Sequence, residues 1–164
     1  MHKNDYIFQK LEDPSRADEW MDLAVQAGIK DADLTRKNLM DYFANPERDV
    51  FTPYMIIRSD DNKIVGTLLL RHTEQDFRNA YSVCHVAITQ DLRGTGLGSK
   101  FMYYIFDEIV RLGKEYVVLY TGQDTDYFYK SLGMVEYGRF PDILPGENGL
   151  RDRVYLYKDL RETS

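Results

Sequence analysis

Asp91-Leu92-Arg93-Gly94-Thr95-Gly96-Leu97-Gly98-Ser99-Lys100 joins two stretches of different periodicity. Before it, Tyr81 to Thr89 (YSVCHVAIT) is rich in apolar and β-branched residues and reads as a strand. After it, Leu97, Phe101, Tyr104, Ile105, Ile109 and Leu112 recur at the spacing of one helical face, and Gly113 follows as a stop. The segment is therefore strand, glycine-rich turn, helix. The first turn of a helix has unpaired backbone N–H groups and the positive end of the helix dipole. Glycines let the chain bend so that those groups converge, and they remove the Cβ atoms that would block a ligand. The product is an anion site suited to phosphate, with Arg93 and Lys100 adding local positive charge.

Three phosphate-binding patterns compete for this turn. The dinucleotide fingerprint G-x-G-x-x-G fails, because the glycines stand at 94, 96 and 98. The nucleoside-triphosphate loop G-x-x-x-x-G-K-[ST] fails as well, because the fifth residue after Gly94 is Ser99. The pattern R-x-x-G-x-G is filled by Arg93, Gly96 and Gly98. A fourth reading needs no ligand: a left-handed turn into a helix, with glycines present only for packing.

Working outward, Glu115 to Thr121 (EYVVLYT) is a continuous apolar run expected as a strand buried on both faces. Asp124 to Leu132 reads as a short helix stopped near Gly133. Met134 to Phe140 and Asp152 to Lys158 read as a final hairpin with a long Pro/Gly-rich connection. Toward the N-terminus, Val50 to Arg58 and Ile64 to His72 form a hairpin across the turn-forming Ser59-Asp60-Asp61-Asn62-Lys63. Tyr6 to Glu12 alternates as a first strand; a helix follows Asp13-Pro14 and stops near Gly28, and a second runs from Thr35 to Ala44. The order βααββ-βαβα-ββ predicts an α/β (mixed α+β) fold, a mixed sheet with helices on its faces.

The 164 residues suffice for one domain with a sizeable core, expected to span 1–164. Hydrophobic residues at 43% and charged residues at 29% place the chain with globular proteins. A net charge of −6 argues against a general nucleic-acid binder. The single cysteine, Cys84, excludes an intrachain disulfide and a multi-cysteine metal site, and His2, His72 and His85 lack metal-ligand spacing. The opening MHKNDYIFQKLED lacks the apolar run of a secretory signal, and no stretch of about 18 apolar residues occurs, so no membrane partner and a cytoplasmic location are expected.

The turn has company. Val86-Ala87-Ile88 precedes it, and Tyr127-Phe128-Tyr129-Lys130-Ser131-Leu132-Gly133-Met134 follows about thirty residues on, supplying a Y-x-x-x-G from Tyr129 to Gly133. From roughly Ser82 to Tyr137 this arrangement resembles the GCN5-related N-acetyltransferase (GNAT) family. The end of the chain, Gly138-Arg139-Phe140-Pro141-Asp142 through Tyr155-Leu156-Tyr157-Lys158, looks like the branch that acetylates small amines, antibiotics and toxins. The resemblance implies a mixed, mostly antiparallel sheet of about seven strands with about four helices, splayed at its two central parallel strands. It implies acetyl-CoA as co-substrate, with no metal. Its pyrophosphate would lie on the amides of Arg93, Gly94, Thr95, Gly96, Leu97, Gly98 and Ser99. Its pantetheine arm would pair like a strand with Val86, Ala87 and Ile88, and a backbone N–H near Val86 or Ile88 would hold the developing oxyanion.

The implied reaction is acyl transfer to a primary amine of a small polar molecule, by direct attack in a ternary complex. The amine, with a pKa near about 10.4 if lysine-like, must lose a proton, and the departing thiolate benefits from a donor. The resemblance gives the donor role to Tyr129; Tyr127, two residues away, should point elsewhere on a helix. The glutamate many relatives carry before the turn is missing: Ser82, Val83, Cys84 and His85 stand there. His85 is a candidate base, with a satisfied core histidine as the competing reading. Glu74 and Asp76 in the preceding loop are further candidates, while Cys84 reads as a small buried hydrophobe. The asparagine and alanine often found after the next strand are replaced by Gly122 and Thr125. Acidic residues Glu74, Asp76, Asp124 and Asp126 would suit a cationic acceptor, with a solvated face as the alternative. Two other functions stay open: a CoA-binding regulatory module without turnover, and a protein or peptide N-acetyltransferase. A homodimer is also compatible with the resemblance.

Overall fold

The computed structural model describes residues 5–29, 31–47, 50–72, 78–146 and 149–162. Among these, seven strands form one sheet in the order β1-β2-β3-β4-β5-β7-β6. The strands are β1 (Tyr6–Lys10), β2 (Phe51–Arg58), β3 (Lys63–Arg71), β4 (Ala80–Ile88), β5 (Tyr116–Gly122), β6 (Val135–Gly146) and β7 (Gly149–Asp159). The helices are α1 (Ala17–Gln26), α2 (Ala32–Ala44), α3 (Leu97–Arg111) and α4 (Asp126–Ser131). Every neighbouring pair is antiparallel except β4 with β5.

Alternation along the strands sends side chains to two cores on opposite faces. On one face Tyr54, Ile56, Leu68 and Leu70 pack with Phe101, Ile105 and Ile109 of α3. On the other, Met55, Ile57, Ile64 and Leu69 pack with Trp20, Leu23 and Leu39 of α1 and α2. Trp20 is fully buried, and its indole N–H donates to the Tyr54 carbonyl at 2.9 Å, tying α1 to β2. Helix α2 starts at Ala32, three residues before its expected start. Asp31 caps it by accepting from the Leu34 amide at 2.9 Å.

The expected loop between the last two strands is mostly strand. β6 runs through Pro141 and Pro145, and the register with β7 breaks between Phe140 and Leu144, where Asp142 takes a φ of +51°. Proline lacks an N–H, but β6 is the sheet edge and pairs on one side only, so both prolines are tolerated.

Two irregularities in β4 position the site. Parallel pairing to β5 covers only Ala80–Ser82 against Tyr116–Val118; beyond that β4 continues on β3 alone and β5 on β7 alone. The two central strands therefore part. β4 also carries a bulge: Leu69 faces His85 and Leu70 faces Val83, leaving Cys84 as the extra residue.

Candidate active site

The three glycines of the turn serve different ends. Gly94 and Gly96 have φ of +78° and +84°, a region that disfavours any side chain, while the space a Cβ would take is open at both. Gly98 has no positive φ; a Cβ there would meet the Phe128 ring at 3.4 Å, so this glycine lets α4 lie against the turn. Helix α3 begins directly after Gly96 without a side-chain cap. Its ladder opens with the Lys100 amide on the Gly96 carbonyl at 3.1 Å, which leaves the amides of Leu97, Gly98 and Ser99 ahead of it. The Thr95 hydroxyl donates to the Leu92 carbonyl at 2.6 Å, and Arg93 Nε to the Ile88 carbonyl at 3.3 Å. These bonds brace the turn from behind.

Tyr129 sits on α4 and packs on the α3 side of the core, its ring centroid 5.0 Å from that of Phe128. The Phe128–Gly98 approach thus carries Tyr129 toward the helix start. Burial pushes its hydroxyl up to about 12, and among the described residues that hydroxyl has no hydrogen-bond partner. Tyr127 is 72% exposed on another side of the same helix.

On the α1/α2 side, a cavity of about 410 Å³ lies where the central strands part. Its wall includes Cys84 and His85 of β4, Tyr120, Thr121 and Gly122 of β5, and the turn after α1. His85 Nε2 lies 3.0 Å from the hydroxyl of the fully buried Thr67, and the ring centroid is 6.0 Å from that of Trp20. Burial lowers the imidazole to about 4, so it is neutral near pH 7. His85 thus combines both of its readings: a hydrogen-bonded histidine that also faces the cavity. Cys84 is exposed at the bulge, and desolvation by the surrounding protein pushes its thiol up to about 11, well away from thiolate chemistry.

The expected acidic cluster is engaged elsewhere. Asp124 pairs with Arg151, and the buried Asp126 pairs with Lys130 at 3.0 Å and Arg139 at 3.6 Å. Glu74 and Asp76 lie outside the described residues. Tyr42 and Tyr54 are core, and the aromatic residues of the cavity wall are Phe51 and Tyr120. Sequence reasoning missed the cavity's basic lining, Arg71, Arg151 and Arg153. The readable signal was Arg151-Asp152-Arg153, two like charges at the period that puts both on one face of a strand. Among the described residues no group of three or more His, Cys, Asp and Glu side chains could hold a metal ion, and no helix is long and apolar enough to cross a membrane.

His85 makes a testable contribution to stability. Its folded pKa near 4 lies below the ordinary 6.5, so between these values the unfolded chain binds more protons. Stability is therefore full above about pH 6.5 and falls as the pH drops toward 4, by up to about 3 kcal/mol from this residue. His72, held near 4 chiefly by burial and bonded to the Thr52 hydroxyl, acts in the same direction. Urea titrations at pH 7.5 and 5 should show that His85→Gln flattens this loss; an unchanged pH slope would refute the assignment.

The model of the acetyltransferase (GNAT) family matches residues 9–134, and the chain belongs to that family. By that membership it is an acetyl-CoA-dependent N-acetyltransferase. Solved structures agree on the fold. A protein from Desulfovibrio desulfuricans assigned to the GNAT family superposes with a TM-score of 0.81 at 13% identity, over 95% of this chain and 99% of that one. The ribosomal-protein-S18-alanine N-acetyltransferase of Escherichia coli gives 0.77 at 13% identity, over 95% and 94%. An aminoglycoside 6'-N-acetyltransferase complexed with coenzyme A gives 0.73 at 15% identity, over 94% and 97%. No curated protein matches the sequence at a significant level.

Proposed function

We propose that this protein moves the acetyl group of acetyl-CoA to a primary amine of a small polar molecule, by direct attack within a ternary complex. The observation that carries the reading is the uncapped start of α3 beside the parted strands, with a cavity of small-molecule size on the other side of the opening. The pyrophosphate would sit on the amides from Arg93 to Ser99, and the pantetheine arm along Val86, Ala87 and Ile88 of β4, where β5 no longer pairs. A structural neighbour complexed with coenzyme A supports the choice of co-substrate.

With the thioester between the strands, the amine attacks from the cavity. The tetrahedral adduct places negative charge on the former carbonyl oxygen, held by a β4 backbone N–H, and positive charge on nitrogen. That ammonium is far more acidic than the protonated free amine, so a weak base suffices to remove its proton. His85, neutral and facing the cavity, takes that role, directly or through water. Tyr129, protonated at every physiological pH, donates a hydrogen bond to the departing thiolate, whose net proton comes from the acceptor nitrogen.

Thermal denaturation tests the binding half. CoA at about 100 times its dissociation constant should stabilise the protein by about 2.7 kcal/mol, a rise of roughly 5 to 10 °C in Tm. No shift would reject the phosphate turn. Thiol release from acetyl-CoA over a panel of amines tests the transfer half. A shift without release would favour the regulatory module.

A further inference from the structure

The cavity's charge is opposite in sign to that of the chain. In a protein of net charge −6, the described residues of its wall hold Arg71, Arg151 and Arg153 against one acid, Asp31. The Asp31 carboxylate is already committed to the Leu34 amide as the cap of α2. Arg151 is neutralised by Asp124, and its Nε donates to the Pro145 carbonyl at 2.9 Å. Its guanidinium occupies the space a Cβ on Gly122 would take, so the missing side chain at 122 is what seats this arginine in the wall.

Arg71 and Arg153 remain without a carboxylate partner among the described residues. Both are held by rings: the Arg153 guanidinium carbon lies 4.5 Å from the Tyr120 centroid and that of Arg71 5.7 Å from the Phe51 centroid. Stacking fixes the plane of a guanidinium and leaves its edge donors available. Arg153 Nε is shut off from solvent and has no hydrogen-bond partner among the described residues, so the guanidinium can meet a ligand only through its terminal nitrogens.

Resting on the acyl-transfer reading above, we infer that the acceptor amine also carries an acidic group, a carboxylate or a phosphate, which Arg71 and Arg153 bind in this cavity. Both anions match the planar fork of arginine. A polyamine would meet two uncompensated positive charges instead. The arginines serve binding and orientation, holding the acid so that the amine end points to the thioester.

The test compares acidic amines with uncharged twins that keep the same amine: amino acids with their amides, and an aminohexose phosphate with the aminohexose. Titration calorimetry on the CoA-loaded protein reads binding, and thiol release from acetyl-CoA reads transfer. The acid of at least one pair should bind roughly 10- to 100-fold more tightly than its twin, the range of a charge-assisted hydrogen bond. Which pair responds tells carboxylate from phosphate. Arg153→Gln and Arg71→Gln should each bring that ratio toward one, and Arg153→Lys should restore part of it; CoA affinity, measured alongside, shows that each variant is folded. Uncharged twins or a polyamine binding as well as the acids, no binding by either acid, or ratios unmoved by both substitutions would overturn the inference. Preferential binding of the acid without thiol release from any amine would leave the anion site standing and reject the transfer reading alone.

Discussion

Replacing Tyr129 by phenylalanine is expected to lower kcat for acetyl transfer roughly 100-fold, where the upper range of a hydrogen bond to a charged group meets the lower range of general acid catalysis. The lower end of catalysis applies because of the hydroxyl's own acidity. A phenol at about 12 is a weaker acid than a cysteine-like thiol at about 8.5, so complete transfer of its proton to the thiolate runs uphill. What Tyr129 can supply is a strong hydrogen bond as sulfur gathers charge, with the net proton arriving from the acceptor nitrogen. CoA affinity should stay within about twofold, because this bond is made in the transition state and hardly in the ground state. Stability should also move little. Among the described residues the hydroxyl has no partner to orphan, and the ring keeps its contact with Phe128. Steady-state kinetics with saturating amine, beside a CoA titration, measure both quantities. A variant with wild-type kcat would remove Tyr129 from the reaction, and a parallel loss of CoA affinity would make it a binding residue.

How far the site could be read from sequence depends on the range of the interaction. The turn at 93–99 was legible because its demands are local: left-handed backbone at Gly94 and Gly96, then an amphipathic helix from Leu97. The same holds for the hairpin of β2 and β3, announced by its own turn residues. Gly98 was legible as a glycine but not for its reason, since Phe128 reaches it from another helix. The bulge at Cys84 was illegible because a register shift belongs to two strands at once, and only the pairing of Leu69 with His85 and Leu70 with Val83 reveals it. The bulge in turn decides which β4 side chains face the cavity, so the setting of His85 was hidden with it. The acidic cluster failed for a related reason. Asp124 and Asp126 are close in sequence to Tyr129, yet each is claimed by an arginine further along the chain, Arg151 and Arg139. Counting acids near a motif measures charge before pairing, whereas a ligand meets what pairing leaves over.

The second large effect is expected at Gly96. Gly96→Asp should weaken CoA binding by at least about 100-fold, while Gly96→Ala should weaken it by no more than about tenfold. Both substitutions force a side chain onto a residue with φ +84°, at a cost of about 1–2 kcal/mol shared by apo and bound protein. Neither meets a steric barrier from the protein, because nothing lies within 4 Å of the added Cβ. The difference between them is therefore the carboxylate. At the N-cap of α3, which no side chain now caps, it can accept from the amides of Gly98 or Ser99. It would occupy the anion site from within, and cap stabilisation would offset much of the backbone strain, so the apo variant should unfold near the wild-type midpoint. CoA must then displace a tethered anion and bring a pyrophosphate against its negative charge. Because that repulsion is exposed to solvent, raising salt from 0.05 to 0.5 M should narrow the gap between the two variants; both values are chosen about the range where screening shortens from beyond 10 Å to well below it. Equal CoA affinity in Gly96→Asp and Gly96→Ala would mean that the turn binds no phosphate and that its glycines serve the backbone alone.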